Sequence, residues 1–176
     1  DVGVDGLSAV NVLLVAILFP VILISEWKKA HESATGRGVY GLFLFLQGTL
    51  LGLAVSQNLF LIFFFWALSV LPFYFLIAVW GKEKREEAAS RFITYSWIGN
   101  ALFFVAMVLI YYGSTPHSFS LRDIQPEVLA SQTFSIGDHT YRLSLVAFII
   151  FCLGSILRMP VWPLSSWFSS AMLSSS

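Results

Sequence analysis

No Asp, Glu, Lys or Arg occurs between Gly38 and Gly81, a run of 44 residues. A helix crosses the hydrocarbon core of a bilayer with about 20 apolar residues. The run therefore holds two spans, and Ser56-Gln57-Asn58 is its only polar break. Two further blocks lack these charges, from Gly6 to Ser25 and from Phe92 to Leu121. Apolar residues make up 57% of the 176, charged residues only 11%, and Phe alone supplies 17. A soluble domain of this length has too little interior to hide so much apolar surface. The chain reads as an all-α membrane protein forming a single membrane domain over residues 1–176. Spans are expected near 7–25, 39–56, 59–80, 92–112 and 144–170, the last broken by Pro160 and Pro163.

Charge and composition also exclude several functions. Ten Lys+Arg balance ten Asp+Glu, so there is no basic excess to hold nucleic acid. Cys152 is the single cysteine, which removes a disulfide framework and a Cys-rich metal site. No residue spacing suits a metal, a heme or an Fe–S cluster, and no Walker or GxGxxG loop is present. The first block is not read as a signal peptide, because Asp1 and Asp5, not basic residues, precede it. The chain starts without Met and reads as a piece of something longer.

Orientation follows from the loop cations. Lys28, Lys29, Arg37, Lys82, Lys84, Arg85 and Arg91 fall on one side, and Arg122 and Arg142 on the other. Seven against two places the Lys82–Arg91 side inward, with the N-terminus and the long 113–143 loop outward. Within that loop, residues 132–143 alternate apolar and polar around Gly137-Asp138, the pattern of a β-hairpin. Ser120 and Asp123 suit the cap of a short turn before Pro126.

Arg158 is the one charge well inside an expected span. A charge at mid-bilayer costs at least ~2.5–3.5 kcal/mol, so such a residue faces a cavity or a partner. Snorkelling is the plain alternative. However, Ser144–Leu157 is only about 21 Å of helix, too short to span about 30 Å. Pro160 and Pro163 are expected to interrupt the helix there and free carbonyls beside the guanidinium. Ser155, Ser165, Ser166 and water are expected to complete its surroundings. Gly48 and Gly52 form a GxxxG pattern that permits a close helix contact. The aromatic run Phe60–Trp66 reads as packing or lipid-facing surface.

Several stretches resemble subunit M (chain 4) of respiratory complex I. They are Val4-Asp5-Gly6-Leu7-Ser8, Leu46-Gln47-Gly48, Trp66-x-Leu68-Ser69-x-Leu71-Pro72 continuing to Trp80-Gly81, Glu87–Phe92, and Arg158-Met159-Pro160-Val161-Trp162-Pro163. That family is related to multisubunit Na⁺/H⁺ antiporters and membrane-bound hydrogenases, and its members have about fourteen spans. The resemblance covers about five of these. It implies an antiporter-like membrane-arm subunit, or a fragment of one, of a proton-translocating NADH:quinone oxidoreductase. Such a subunit sits in a bacterial inner (plasma) membrane or the mitochondrial inner membrane. It carries no cofactor of its own; flavin and Fe–S groups belong to partner chains, and other membrane subunits surround it.

The departures from the family pattern bear on transport. The family has an intramembrane glutamate after the Trp66 position, and this chain has Ala67. The family lysine before the Pro of the broken helix is Arg158 here. Its His, Pro and Asp positions in the following stretch are replaced by residues of Ser165–Met172. Arginine cannot release its proton in the physiological range, and alanine has none to carry. The expected spans contain no Asp or Glu. Pumping by the family's lysine–glutamate scheme is therefore in doubt. The alternatives are a non-transporting structural or assembly subunit, and a component of a multisubunit Na⁺/H⁺ antiporter.

Overall fold

The computed structural model describes residues 2–25, 36–80, 85–136 and 139–158. Its architecture is all-α and transmembrane. Helix α1 runs Gly6–Ser25 and α2 Gly36–Val55. The third span is two segments, α3 Leu59–Leu68 and α4 Val70–Trp80. Helix α5 covers Arg85–Gly113, α6 Pro126–Ser131 and α7 Leu143–Arg158. Among the described residues, four spans are long and apolar enough to cross a membrane. Helix α7 is apolar but 16 residues long over its described part. The rest of the expected fifth span, with Pro160 and Pro163, lies outside the described residues.

The charge-free blocks locate the spans closely, and local chemistry sets the ends. Asp5 caps α1, its carboxylate accepting the backbone N–H of Ser8 at 2.7 Å. That bond holds the Asp5 carboxyl below its ordinary range. The cap therefore contributes fully above the ordinary carboxylate range and is lost as pH falls below that range through the lowered pKa. Asn58 caps α3 through a bond from the Phe60 N–H at 2.9 Å. Helix α5 begins seven residues before the apolar block at Phe92. Glu86 and Glu87 occupy its first turn, where carboxylates complement the helix dipole. Arg91 pairs with Glu87 one turn away.

The 132–143 hairpin is present as β1 Thr133–Ile136 against β2 His139–Arg142, antiparallel, with Phe134 opposite Tyr141. Its turn, Gly137-Asp138, is outside the described residues. The sequence reading offered no helix at α6, where Pro126 opens a single short helix. The short turn expected before Pro126 is present at residues 121–123, closed by the Asp123 N–H on the Ser120 carbonyl at 3.1 Å, and the Asp123 carboxylate accepts from the Ser118 hydroxyl at 2.8 Å.

Backbone bonds gather one end of the bundle. Gly3 N–H reaches the Val55 carbonyl at 2.9 Å, Leu59 N–H reaches Phe119 O at 2.8 Å, and Leu121 N–H reaches Gln57 O at 3.0 Å. The N-terminal residues, the 56–58 turn and the 119–121 segment therefore share one face of the membrane, as the loop charges require. Inside the bundle, α5 and α7 make the most extensive pairing, followed by α1 with α2 and α4 with α5. Large apolar side chains of α1 such as Leu7, Leu13 and Ile24 remain exposed, which suits lipid or neighbouring protein rather than water.

Candidate functional site

The site grows from Pro72. Proline has no N–H to offer the carbonyl of Leu68, four residues before it, and its ring crowds that carbonyl. The third span accordingly breaks at Ser69, between α3 and α4. Ser69 turns its hydroxyl back to the Trp66 carbonyl at 2.8 Å. The sequence reading took Pro72 as tolerated within one span. It missed this break, although the Ser-Val-Leu-Pro spacing carries the signal.

Arg158, at the last described turn of α7, docks onto that break. Its Nη1 donates to the Trp66 carbonyl and its Nη2 to the Ser69 hydroxyl. The guanidinium carbon lies 4.4 Å from the centroid of the Trp66 ring. A planar cation thus meets two oxygen acceptors and an aromatic face from one segment. Trp66 and Ser69 bracket Ala67, so Arg158 meets the segment that carries Ala67. The expected acceptors were different. Ser155 is spent within its own helix, bonded to Phe151 O at 2.9 Å. Ser165, Ser166 and the carbonyls around Pro160 lie outside the described residues. The described acceptors come from 89 and 92 residues away in the chain, a pairing that local spacing cannot reveal.

The aromatic run holds this arrangement in place. Trp66 stacks on Phe103 of α5 with centroids 5.9 Å apart, and Phe103 meets Phe151 of α7 at 4.9 Å. Phe63 touches Phe103 and Phe104 at 5.9 and 5.5 Å. Five rings in four pairs thereby tie the third span to both later helices, at roughly 0.5–1.5 kcal/mol per pair beyond area burial. Phe60 and Phe64 of the same run remain half-exposed.

Glycines set the closest helix contacts, though not the pair singled out by motif. A Cβ at Gly52 would sit 2.5 Å from the Phe65 ring, whereas one at Gly48 would meet nothing within 4 Å among the described residues. Gly48 is thus free to face another helix. A backbone-against-backbone crossing is made by Gly99 of α5 and Gly154 of α7. A Cβ on either would lie 2.8 or 2.9 Å from the other's carbonyl oxygen. Neither glycine belongs to a GxxxG pattern, so the motif search passed over them.

Ala67 opens on a separate feature, a groove of about 600 Å³ between the broken span and α5. Leu71, Trp97, Asn100, Ala101 and Phe104 line it with Ala67. Its walls are almost wholly apolar. The Oδ1 of Asn100 is buried, with no hydrogen-bond partner among the described residues. No cluster of His, Cys, Asp or Glu among the described residues could hold a metal ion. Between Phe92 and Arg158, the acids and bases on the described helices are Glu127 and Arg158.

Comparison with known proteins agrees with this architecture. Residues 56–176 match the transmembrane region of the NADH:quinone oxidoreductase/Mrp antiporter family. The NADH-quinone oxidoreductase subunit M of Rhodobacter capsulatus is 30% identical over 175 residues, covering 96% of this chain and 33% of its own length. The chloroplastic NAD(P)H-quinone oxidoreductase chain 4 of Chlorokybus atmophyticus is 30% identical over 94% of this chain and 30% of its own. A chain 4 protein of Synechococcus sp. (strain JA-3-3Ab) is 28% identical over 97% of this chain. The chain spans about a third of the length of these relatives. With its Pro-broken third span and its multi-pass helical bundle, this chain belongs to the NADH:quinone oxidoreductase/Mrp antiporter transmembrane family.

Proposed function

We propose that the chain is a membrane-arm, antiporter-like segment of a complex I-like NADH:quinone oxidoreductase, serving as scaffold rather than as a lysine–glutamate proton relay. Electrons pass through flavin and Fe–S groups on partner chains, and other membrane subunits flank this one. The observation that carries the reading is the Arg158 contact. The guanidinium is held by a backbone carbonyl, a serine hydroxyl and an indole ring, none of which exchanges protons near neutral pH. A relay needs groups that switch protonation. Ala67 and Arg158 supply none, which favours a non-transporting scaffold over an active Na⁺/H⁺ antiporter component.

Purification of the native complex tests this assignment. Copurifying flavin and Fe–S subunits are the expected result; their absence from an intact assembly would favour the antiporter branch. The orientation has its own test. The Lys82–Arg91 side faces the cytoplasm or matrix, and the N-terminus and the 113–143 loop face the opposite side. Single cysteines at Lys84 and Asp138 should react with impermeant reagent from opposite faces of the membrane. Labelling of both from one face contradicts the topology.

A further inference from the structure

The segment 114–121 turns back from the end of α5 to the start of α3. Its Phe119 carbonyl takes the Leu59 N–H at 2.8 Å, and its Leu121 N–H reaches the Gln57 carbonyl at 3.0 Å. The Phe119 ring stacks on Tyr111 with centroids 4.4 Å apart. To these backbone and ring contacts His117 adds a titratable one. Its Nδ1 lies 3.1 Å from the Tyr111 carbonyl. A carbonyl only accepts, so Nδ1 carries the proton of the neutral ring. A second proton goes to Nε2 and leaves that bond in place. His117 is exposed, so protons from solvent reach it.

Two features of the surroundings favour the charged ring. The Tyr111 carbonyl belongs to the last turn of α5, which ends at Gly113, and a cation at a helix C-terminus complements the helix dipole. The Tyr111 and Tyr112 rings lie 5.5 and 6.3 Å from the imidazole, the nearer within cation–π range. The described charged groups at this end are Arg122 and Asp123 on the segment, Asp5 at the start of α1, Glu127 of α6 and Arg142 of β2. None lies on the turn of α5 that holds His117. Asp123, bonded to Ser118 at 2.8 Å, and its neighbour Arg122 are opposite in sign and offset each other.

We infer that His117 is a proton-sensitive latch: acid on this face tightens the segment 114–121 across the ends of α3 and α5. The latch follows from the geometry of this end. Its use rests on the functional reading above, in which this is the outer face, the one to which a proton-translocating complex moves protons. The broken span is then clamped at that end as the gradient builds.

Hydrogen exchange of the full chain in its native membrane assembly tests the latch, at about pH 8 and about pH 5.5, either side of the ordinary histidine range. Rates are corrected for the intrinsic pH dependence of amide exchange and read at Leu59 and Leu121. Wild type should gain about threefold protection at the lower pH, the ratio set by a surface cation at a helix C-terminus. His117→Gln keeps a donor for the Tyr111 carbonyl but takes no charge, and should show equal protection at both. No gain in wild type, or a loss, would overturn the inference. So would a gain that persists in His117→Gln, since another group such as Asp123 would then be its source. Absence of flavin and Fe–S subunits from the assembly would count against the functional assignment and leave the exchange result standing.

Discussion

Gly154→Leu is expected to separate α5 from α7 and to destabilise the chain more than any surface change. The reason is geometric. A Cβ at Gly154 lies 2.9 Å from the Gly99 carbonyl oxygen, 3.2 Å from Leu102 Cβ and 3.3 Å from the Phe103 N–H. Two of these obstacles are backbone and cannot swing aside as a side chain does. The helices must part, and the Phe103–Phe151 contact beside the crossing is strained with them. Overpacking of a well-filled site costs typically 1–3 kcal/mol. A crossing between backbones belongs at or above the upper end. Gly99→Val meets the Gly154 carbonyl in the same way and should cost as much. Gly52→Ala meets only the Phe65 ring, which can give, and should cost less. Gly41→Ala and Gly48→Ala meet open space and should stay within about 0.5 kcal/mol of the parent. Unfolding midpoints in mild detergent across this series check the ranking. If Gly41→Ala and Gly154→Leu lost equal stability, the crossing would not depend on its two glycines.

That crossing shows how far local sequence reading reaches. Twenty-residue charge-free blocks leave the chain little choice, so the first four spans stand where composition places them. Their ends shift because caps and ion pairs extend a helix beyond its apolar part, as Glu86, Glu87 and Arg91 do for α5. The hairpin at 133–142 was legible because alternation around Gly-Asp is a short-range signal. Tertiary pairings left no comparable trace. Gly99 and Gly154 are single glycines on helices 55 residues apart, and nothing near either announces its partner. Arg158 was legible as a residue needing acceptors, from its charge alone. Its partners were misplaced because they follow from a break made by Pro72 in a distant helix. The groove at Asn100 exists only once the third span and α5 lie side by side.

Arg158→Ala is the second substitution with a large expected effect, and it acts on assembly rather than on transport. Each hydrogen bond to the guanidinium contributes roughly 1.5–3 kcal/mol. Placing the charge in the membrane costs about 2.5–3.5 kcal/mol. The two largely offset each other, leaving a net loss of roughly 1–3 kcal/mol once the Trp66 face is included. More is lost in geometry, because the contact fixes α7 on the broken span. Arg158→Lys keeps the charge but cannot fork onto the Trp66 carbonyl and Ser69 at once. It should restore only part of the assembled complex. Ser69→Ala, which removes one acceptor and the back-bond to Trp66, should match it. Immunodetection of the assembled complex after native electrophoresis reads these differences; equal levels in all three variants would show that α7 is held by other contacts.

The central claim is that Arg158 is a fixed structural cation and that this segment carries no protons through the family's relay. The most direct measurement is the number of protons pumped per electron pair by the reconstituted complex, wild type against Arg158→Ala, normalised to assembled complex. The account predicts the same ratio for both, with any loss confined to the amount assembled. A clear fall in the ratio at unchanged assembly and electron transfer would place Arg158 in the proton path and contradict the account.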